Sequence, residues 1–214
     1  MTDRYDSSES AEGQYQPGSG GLVLVNRLGI TDLQEINDLE LALLEQLYDV
    51  VMSEVETDQV ITVADVFEWH RKWLGNVYDW AGKERSVNIS KEDFHFAATG
   101  QIPDLLKKFD KNYLSQHTPC NRMNDGQVIE AIAIVQAEFI LVHPFREGNG
   151  RIARLLSNVM ALQANKPELD FSSWDRNRDD YFLAIQAAMD CNYEPMKGFV
   201  KQALLHGGQG VLST

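Results

Sequence analysis

Residues 125–154 read DGQVIEAIAIVQAEFILVHPFREGNGRIAR. The first part carries Val128, Ile129, Ile132, Val135, Phe139 and Val142 on a broad face, with Ala and Ile filling much of the rest. A helix that is apolar nearly all round is a buried, central one, so such a helix is predicted from Asp125 to His143. Pro144 ends it, because proline disfavours the α conformation in the residue before it. A second helix is predicted from about Asn149 to Ala164, with Ile152, Leu155, Leu156 and Val159 inward. The residues between must form a loop. Gly148 and Gly150 let the backbone turn sharply and leave its N–H groups uncovered. The second helix then aims its free N–H groups and positive dipole end at that loop. A glycine-bearing loop feeding a helix N-terminus is an anion site.

The side chains of the loop suit a phosphate ligand. Arg151 and Arg154 stand three apart and project from the first turn as fixed cations with forked donors. Glu147 is a hard oxygen ligand beside them, suited to Mg²⁺ that keeps most of its waters. His143 has an ordinary pKa of about 6.5, which makes it a base at neutral pH. Phe145, apolar between polar neighbours, anchors the loop in the core. These parts together can move a phosphorus group. The base deprotonates an incoming hydroxyl, and the helix start and the arginines stabilise charge on a polyphosphate.

Helical periodicity extends to both sides. Leu33, Ile36, Leu39, Leu43, Leu44, Leu47 and Val51 form one stripe after Thr31, which has capping-box spacing with Gln34. Thr62 with Asp65 marks a second start, before Val63, Val66, Phe67, His70, Trp73 and Leu74; Trp69 and Trp73 are read as core. Gly100 to Leu114 gives a third helix, with Pro103 in its first turn. Two more are predicted from roughly Arg176 to Asp190 and from Glu194 to Leu205. Val87, Ile89, Phe94 and Phe96 alternate with polar residues around Ser90–Asp93, which predicts a short hairpin. LVLVNRLGI (residues 22–30) reads as extended. The expected fold is mainly α, about seven helices around a central buried helix, with one small β-hairpin flap. The division is a flexible acidic tail over 1–20, a domain over 21–207 and a flexible end over 208–214.

The chain has 214 residues and a formal net charge of −13. A field this negative repels phosphate backbones and anionic lipid, so neither nucleic acid nor membrane is an expected partner. Two cysteines, Cys120 and Cys191, are too few for a disulfide scaffold. His70, His95, His117 and His206 show no metal-ligand spacing. The opening MTDRYDSSES has no basic and apolar signal pattern, so a cytoplasmic location is expected, with delivery into another cell left open.

The run His143 to Arg154 matches H-x-F-x-[D/E]-G-N-G-R-x-x-R at every defined position, and the protein resembles the Fic domain family. The likeness extends to Tyr15–Gly20 with Asn26–Asp32, which resemble the leading segment of Fic toxins that have a separate antitoxin. Trp80-Ala-Gly82 and Asn88-Ile-Ser-Lys91 resemble the family's target-docking flap. Tyr181, Ala184, Ala188, Tyr193 and Pro195 resemble its closing helices. Where the family often has Gly-Asp before the closing Tyr, this chain has Cys191-Asn192.

The resemblance implies transfer of AMP from ATP to a Ser, Thr or Tyr hydroxyl of a target protein. His143 would be the general base, and Glu147 would hold Mg²⁺ between the α- and β-phosphates. Gly148, Asn149 and Gly150 would line an anion hole, Arg151 would bind the β-phosphate region, and Arg154 would fix the γ-phosphate. Ile89, Ser90 and Lys91 would pair with the target's backbone and cover the nucleotide; Tyr181, with Ile185 and Met189, would wall the base pocket. The related Doc toxins, which transfer phosphate, carry Lys where Gly150 stands, so Gly150 favours nucleotidyl transfer. Two alternatives remain: another donor (another NTP, CDP-choline) or AMP removal within the enzyme class, and a non-catalytic nucleotide- or partner-binding module outside it. Ser8-x-x-x-Glu12-Gly13 fits the spacing of the family's inhibitory helix, whose Glu pairs with the second motif arginine. The leading segment points instead to a small antitoxin that supplies that Glu in trans. The target and the oligomeric state are not legible.

Overall fold

The computed structural model describes residues 11–91 and 94–207. Helix α1 (Leu33–Glu54) starts one residue later than the Thr31 expectation. Asp32 is its N-cap and accepts the Glu35 N–H at 2.8 Å; a carboxylate also suits the positive end of the helix. Helix α2 (Val63–Leu74) begins with the expected Thr62–Asp65 capping box and buries Val66, Trp69, His70, Trp73 and Leu74. The hairpin is short. β1 (Ser90–Lys91) pairs antiparallel with β2 (Phe94–His95), Ser90 opposite His95 and Lys91 opposite Phe94.

Helix α3 (Ile102–Phe109) follows a 3₁₀ turn at Thr99–Gln101. It passes through a π-helical turn (Asp110–Leu114) into α4 (Ser115–His117), so this helical run goes three residues past the expected end. Helix α5 (Asp125–Val142) is the predicted central helix. It opens on an Asn124–Gln127 capping box and buries Val128, Ile132, Val135, Phe139 and Val142. It packs chiefly on α6 (Asn149–Gln163) and α9 (Glu194–His206).

The helix expected over Arg176–Asp190 is two helices, α7 (Ser172–Arg176) and α8 (Arg178–Ala187), closed by a 3₁₀ turn at Ala188–Asp190. Asn177 interrupts them at φ −117°, ψ 52°. Its side chain donates to the Ser173 carbonyl at 2.8 Å, a local bond that competes with helix continuation.

Among the described residues the LVLVNRLGI segment contributes one antiparallel bridge, Tyr15 with Leu24, in place of a strand. Residues 11–20, expected within the tail, sit against the body. Ser19 is buried, Ser86 N–H donates to the Glu12 carboxylate at 2.8 Å, and Arg146 Nε donates to the Glu12 carbonyl at 2.9 Å. Ser8, residues 1–10 and residues 208–214 lie outside the described residues. No helix among the described residues is long and apolar enough to cross a membrane.

Candidate active site

The loop between α5 and α6 is clamped from below. Phe145 is fully buried and stacks on the His70 ring at 3.8 Å. Asn149 closes the turn: its Oδ1 accepts the Phe145 N–H at 2.9 Å and its Nδ2 donates to the Phe145 carbonyl at 2.8 Å. The Asn149 side chain is thereby committed to the loop, and what it offers an anion is its backbone N–H in the first turn of α6. His70 Nδ1 accepts the Gly82 N–H at 2.8 Å, so the ring proton sits on Nε2 and is donated to the Glu147 carbonyl at 3.1 Å. Burial pushes the His70 pKa down to about 4, which keeps it neutral.

His143 caps α5 in the left-handed region, φ 49°, ψ 58°. That conformation costs on the order of 1–3 kcal/mol in a non-glycine residue and persists where its surroundings over-determine it. Here Arg85 does so: its Nε donates to the His143 carbonyl at 2.7 Å and its backbone N–H to the Pro144 carbonyl at 2.8 Å. The same guanidinium donates to the carbonyls of Val87 and Ala97, which flank the hairpin. The His143 ring stacks on Phe96 at 3.8 Å, directly beyond β2. Its Nδ1–H donates to the Ile140 carbonyl at 3.2 Å, which leaves the Nε2 lone pair as proton acceptor. Burial pushes its pKa down to about 3; the Ile140 bond opposes that and the Arg85 cation adds to it.

The start of α6 has no side-chain cap. Gly148 sits at φ +84°, and a Cβ there would lie 2.6 Å from Trp73 Cζ3, so only glycine fits. A Cβ on Gly150 would meet nothing within 4 Å, which leaves open space beside the first turn. Glu147 Oε1 accepts the Gly148 N–H at 3.2 Å. Among the described residues no three His, Cys, Asp or Glu side chains gather as a metal cage. Glu147, whose Oε1 also lies 3.9 Å from Arg151 Nη2, is the one carboxylate of the loop, and such a ligand suits Mg²⁺, which binds through one or two carboxylates plus substrate phosphates.

Both motif arginines are held. Arg151 Nη1 donates to Glu40 Oε2 at 2.8 Å, and its guanidinium lies 4.6 Å over the Trp73 ring. Arg154 makes a two-pronged pair with Asp175 at 2.6 and 3.2 Å and lies 5.2 Å over Phe171. The two line a cleft of about 800 Å³ whose other wall is Leu44, Tyr48 and Met52 of α1.

The structure therefore gathers His143, Glu147, Gly148, Asn149, Gly150, Arg151 and Arg154 on one loop and helix start, with the hairpin docked on His143 through Phe96. Ile89 is buried and its carbonyl accepts the Phe96 N–H at 3.1 Å; Ser90 and Lys91 form β1, with Lys91 Nζ 4.2 Å over Phe182. Tyr181 faces the α8–α9 packing: it stacks on Trp174 and its hydroxyl accepts from Gln136 Nε2 at 2.8 Å. Ile185 is buried in the core and Met189 is exposed. Sequence reading missed Glu40, His70, Arg85, Phe96 and Asp175. Glu40 carried a visible signal, an acidic residue in register with Ile36 and Leu47 on the inward stripe of α1.

A family model described as the Fic/DOC family matches residues 60–161. Protein adenylyltransferase Fic of Nematostella vectensis is 29% identical over 150 residues, which are 68% of this chain and 33% of that protein. Protein adenylyltransferase VbhT of Bartonella schoenbuchensis is 28% identical over 154 residues, 72% of this chain and 31% of that protein. The chain thus spans about a third of the length of these curated relatives. The BepC effector of Bartonella tribocorum, solved with AMPPNP bound, superposes with a TM-score of 0.68 at 23% identity, covering 88% of this chain and 94% of that one. The fold, the motif loop and the matched region agree: residues 60–161, which include the whole His143–Arg154 loop and helix start, match the Fic/DOC family model.

Proposed function

We propose that this chain is a protein adenylyltransferase that moves AMP from ATP to a Ser, Thr or Tyr hydroxyl of a target protein and releases pyrophosphate. The observation that carries this reading is the geometry of one short segment: a neutral His143 with its Nε2 lone pair available, six residues before an uncapped helix start that is followed by two anchored arginines. The relatives named adenylyltransferases and the AMPPNP-bound BepC structure support it.

His143 Nε2 takes the hydroxyl proton as the target oxygen attacks the α-phosphorus. The new P–O bond forms on the target and the bond to the β-phosphate bridging oxygen breaks, so pyrophosphate carries away the negative charge. A pKa of about 3 in the free protein makes His143 a weak base; polyphosphate beside it favours the imidazolium and strengthens it as the proton moves. The backbone N–H groups of Asn149 and Gly150 and the Arg151 guanidinium stabilise charge on the phosphates, Gly148, whose N–H is taken by Glu147 Oε1, supplies the turn that exposes them, and Arg154 holds the γ-phosphate. Glu147 would hold Mg²⁺, which would supply positive charge to offset that of the polyphosphate. The hairpin presents Ile89–Lys91 as an edge to which an extended target segment adds a strand.

Inhibition is assigned in the same reading to a separate small antitoxin that supplies a Glu to Arg154 through the α1 cleft. The Glu12 carboxylate is held by Ser86 N–H, and the carboxylate on Arg154 is that of Asp175, so the in-chain alternative has no support from the geometry of Glu12.

Incubation of the isolated chain with ATP, Mg²⁺ and lysate, followed by mass spectrometry of labelled proteins, reports both the group added and its acceptor. The expected product is an AMP adduct, formed equally well by the Glu12→Ala variant. His143→Ala should abolish transfer and leave ATP binding nearly intact. Equal loss of binding and transfer would refute the base role. A different adduct would identify another donor, and binding without transfer would identify the module.

A further inference from the structure

We infer that Glu40 is a positioning residue, which fixes the Arg151 guanidinium at the phosphate site from a helix outside the motif. The inference rests on the nucleotide-transfer reading above.

Glu40 is 5% exposed, in the middle of the apolar stripe that α1 turns inward with Ile36, Leu47 and Val51. Burying a carboxylate is costly, and a buried ion pair is often no more stabilising than apolar side chains of similar volume. Stability is therefore a poor reason for a Glu at this point of the stripe. The contacts supply a better one. Oε2 accepts from Arg151 Nη1 at 2.8 Å, and Oε1 accepts from the Tyr78 hydroxyl at 2.6 Å. Tyr78 thus holds the carboxylate in one rotamer while Arg151 binds its other oxygen.

The Glu40 backbone takes part as well. Its carbonyl accepts from Trp73 Nε1–H at 2.8 Å, and the Trp73 face is the surface on which the Arg151 guanidinium lies. The edge of the same indole is what a Cβ on Gly148 would strike. One residue of α1 therefore sets both the ion-pair partner and the aromatic platform of Arg151. The guanidinium keeps 36% side-chain exposure and lines the cleft, so donors remain for a ligand after Glu40 has taken one. Arg154 contrasts with this. Its Asp175 partner is 48% exposed and can be displaced by an incoming anion, whereas Glu40 is enclosed and cannot swing away.

A guanidinium held in place acts where charge develops, on the departing pyrophosphate, with no reorganisation at the moment of reaction. Its misplacement should therefore fall on kcat rather than on KM. The test is a double-mutant cycle with Glu40→Gln, Glu40→Ala and Arg151→Ala, read as kcat, KM for ATP, dissociation constant of a non-hydrolysable ATP analogue, and thermal midpoint. Glu40→Gln keeps the shape and should lower kcat about tenfold, the worth of one well-aligned charged hydrogen bond. Glu40→Ala, where it folds, should lower kcat on the order of 10²-fold. KM and analogue binding should move by less than about threefold, because ground-state binding is largely kept. In the Arg151→Ala background, Glu40→Gln should lower kcat no further. A Gln effect that multiplies fully with Arg151→Ala, or one confined to the thermal midpoint, would overturn the positioning role while leaving transfer established. A wild-type chain that neither binds the analogue nor transfers AMP would overturn the nucleotide reading and this inference with it.

Discussion

Gly148 and Gly150 flank Asn149 in the same loop, yet their surroundings assign them opposite fates on substitution by alanine. At position 148 a Cβ would lie 2.6 Å from Trp73 Cζ3 and 3.1 Å from Cη2, on a backbone at φ +84°. The left-handed backbone alone costs about 1–2 kcal/mol in a non-glycine residue, and overpacking against a buried ring adds about 1–3 kcal/mol. Trp73 is held by its Nε1–H bond to the Glu40 carbonyl, so it cannot yield without moving the platform under Arg151. Gly148→Ala should therefore destabilise the protein by about 2–5 kcal/mol and lower transfer in whatever remains folded. At position 150 a Cβ meets nothing within 4 Å, and alanine gains up to about 1 kcal/mol over glycine in a helix. Gly150→Ala should leave the thermal midpoint unchanged or raise it, while the added methyl enters the space the phosphates need and weakens ATP binding. Denaturant unfolding and ATP-analogue titration of the two variants measure both quantities. A Gly150→Ala protein that loses stability, or one that binds ATP as wild type does, refutes the assignment of that space to the anion. A Gly148→Ala protein as stable as wild type refutes the contact with Trp73.

Acid should loosen the loop through His70. Its ordinary pKa of about 6.5 is pushed down to about 4 in the folded chain, so the unfolded state binds the proton more readily. The stability His70 contributes is whole above pH 6.5 and is lost as pH falls toward 4, at about 1.4 kcal/mol per pH unit and about 3 kcal/mol in all. His143, shifted the same way, steepens the wild-type slope. Urea unfolding of His70→Gln between pH 7 and 4.5 should show a shallower slope by one proton's worth; an unchanged slope would show that His70 is not the titrating group. Asp175→Asn removes the exposed partner of Arg154. An exposed ion pair is worth up to about 1 kcal/mol, so KM for ATP should fall by no more than about fivefold with little change in thermal midpoint. A raised KM would mean that Asp175 orients Arg154 for the ligand instead of competing with it.

The central helix, the loop and the start of α6 were legible because their signals are local. A run apolar all round, a proline two residues past the helix end and two glycines at the start of a new helix act over a few residues of chain. Thr62–Asp65 was legible for the same reason, as both halves of a capping box lie three apart. The misses share the opposite property. His70 meets Glu147 across 77 residues, Arg85 meets His143 across 58, and Glu40 meets Arg151 across 111. No periodicity or spacing rule reaches that far. The break at Asn177 was missed for another reason: the competing bond to Ser173 outweighs a weak helical propensity that looked continuous. The acidic residue on the α1 stripe is the instructive case, since its position was readable and only its partner was not.

The charge pattern takes a different form once those partners are known. The sequence suggests a positive island at Asn149–Arg154 on a body of net charge −13. In the structure each arginine of that island is matched by a carboxylate, Arg151 by Glu40 and Arg154 by Asp175. With Glu147 3.9 Å from Arg151 as well, the island carries no net positive side-chain charge, and a long-range positive field is not what would draw a polyphosphate there. What remains is direction. The first backbone N–H groups of α6 have no side-chain cap, and the Arg151 guanidinium is fixed by an aromatic ring and a buried carboxylate. Donors aimed in advance discriminate by geometry, and they bind an anion without attracting every anion nearby. In the proposed reading the site holds a nucleotide through a few oriented hydrogen bonds, where nucleic-acid binding would need a charged surface.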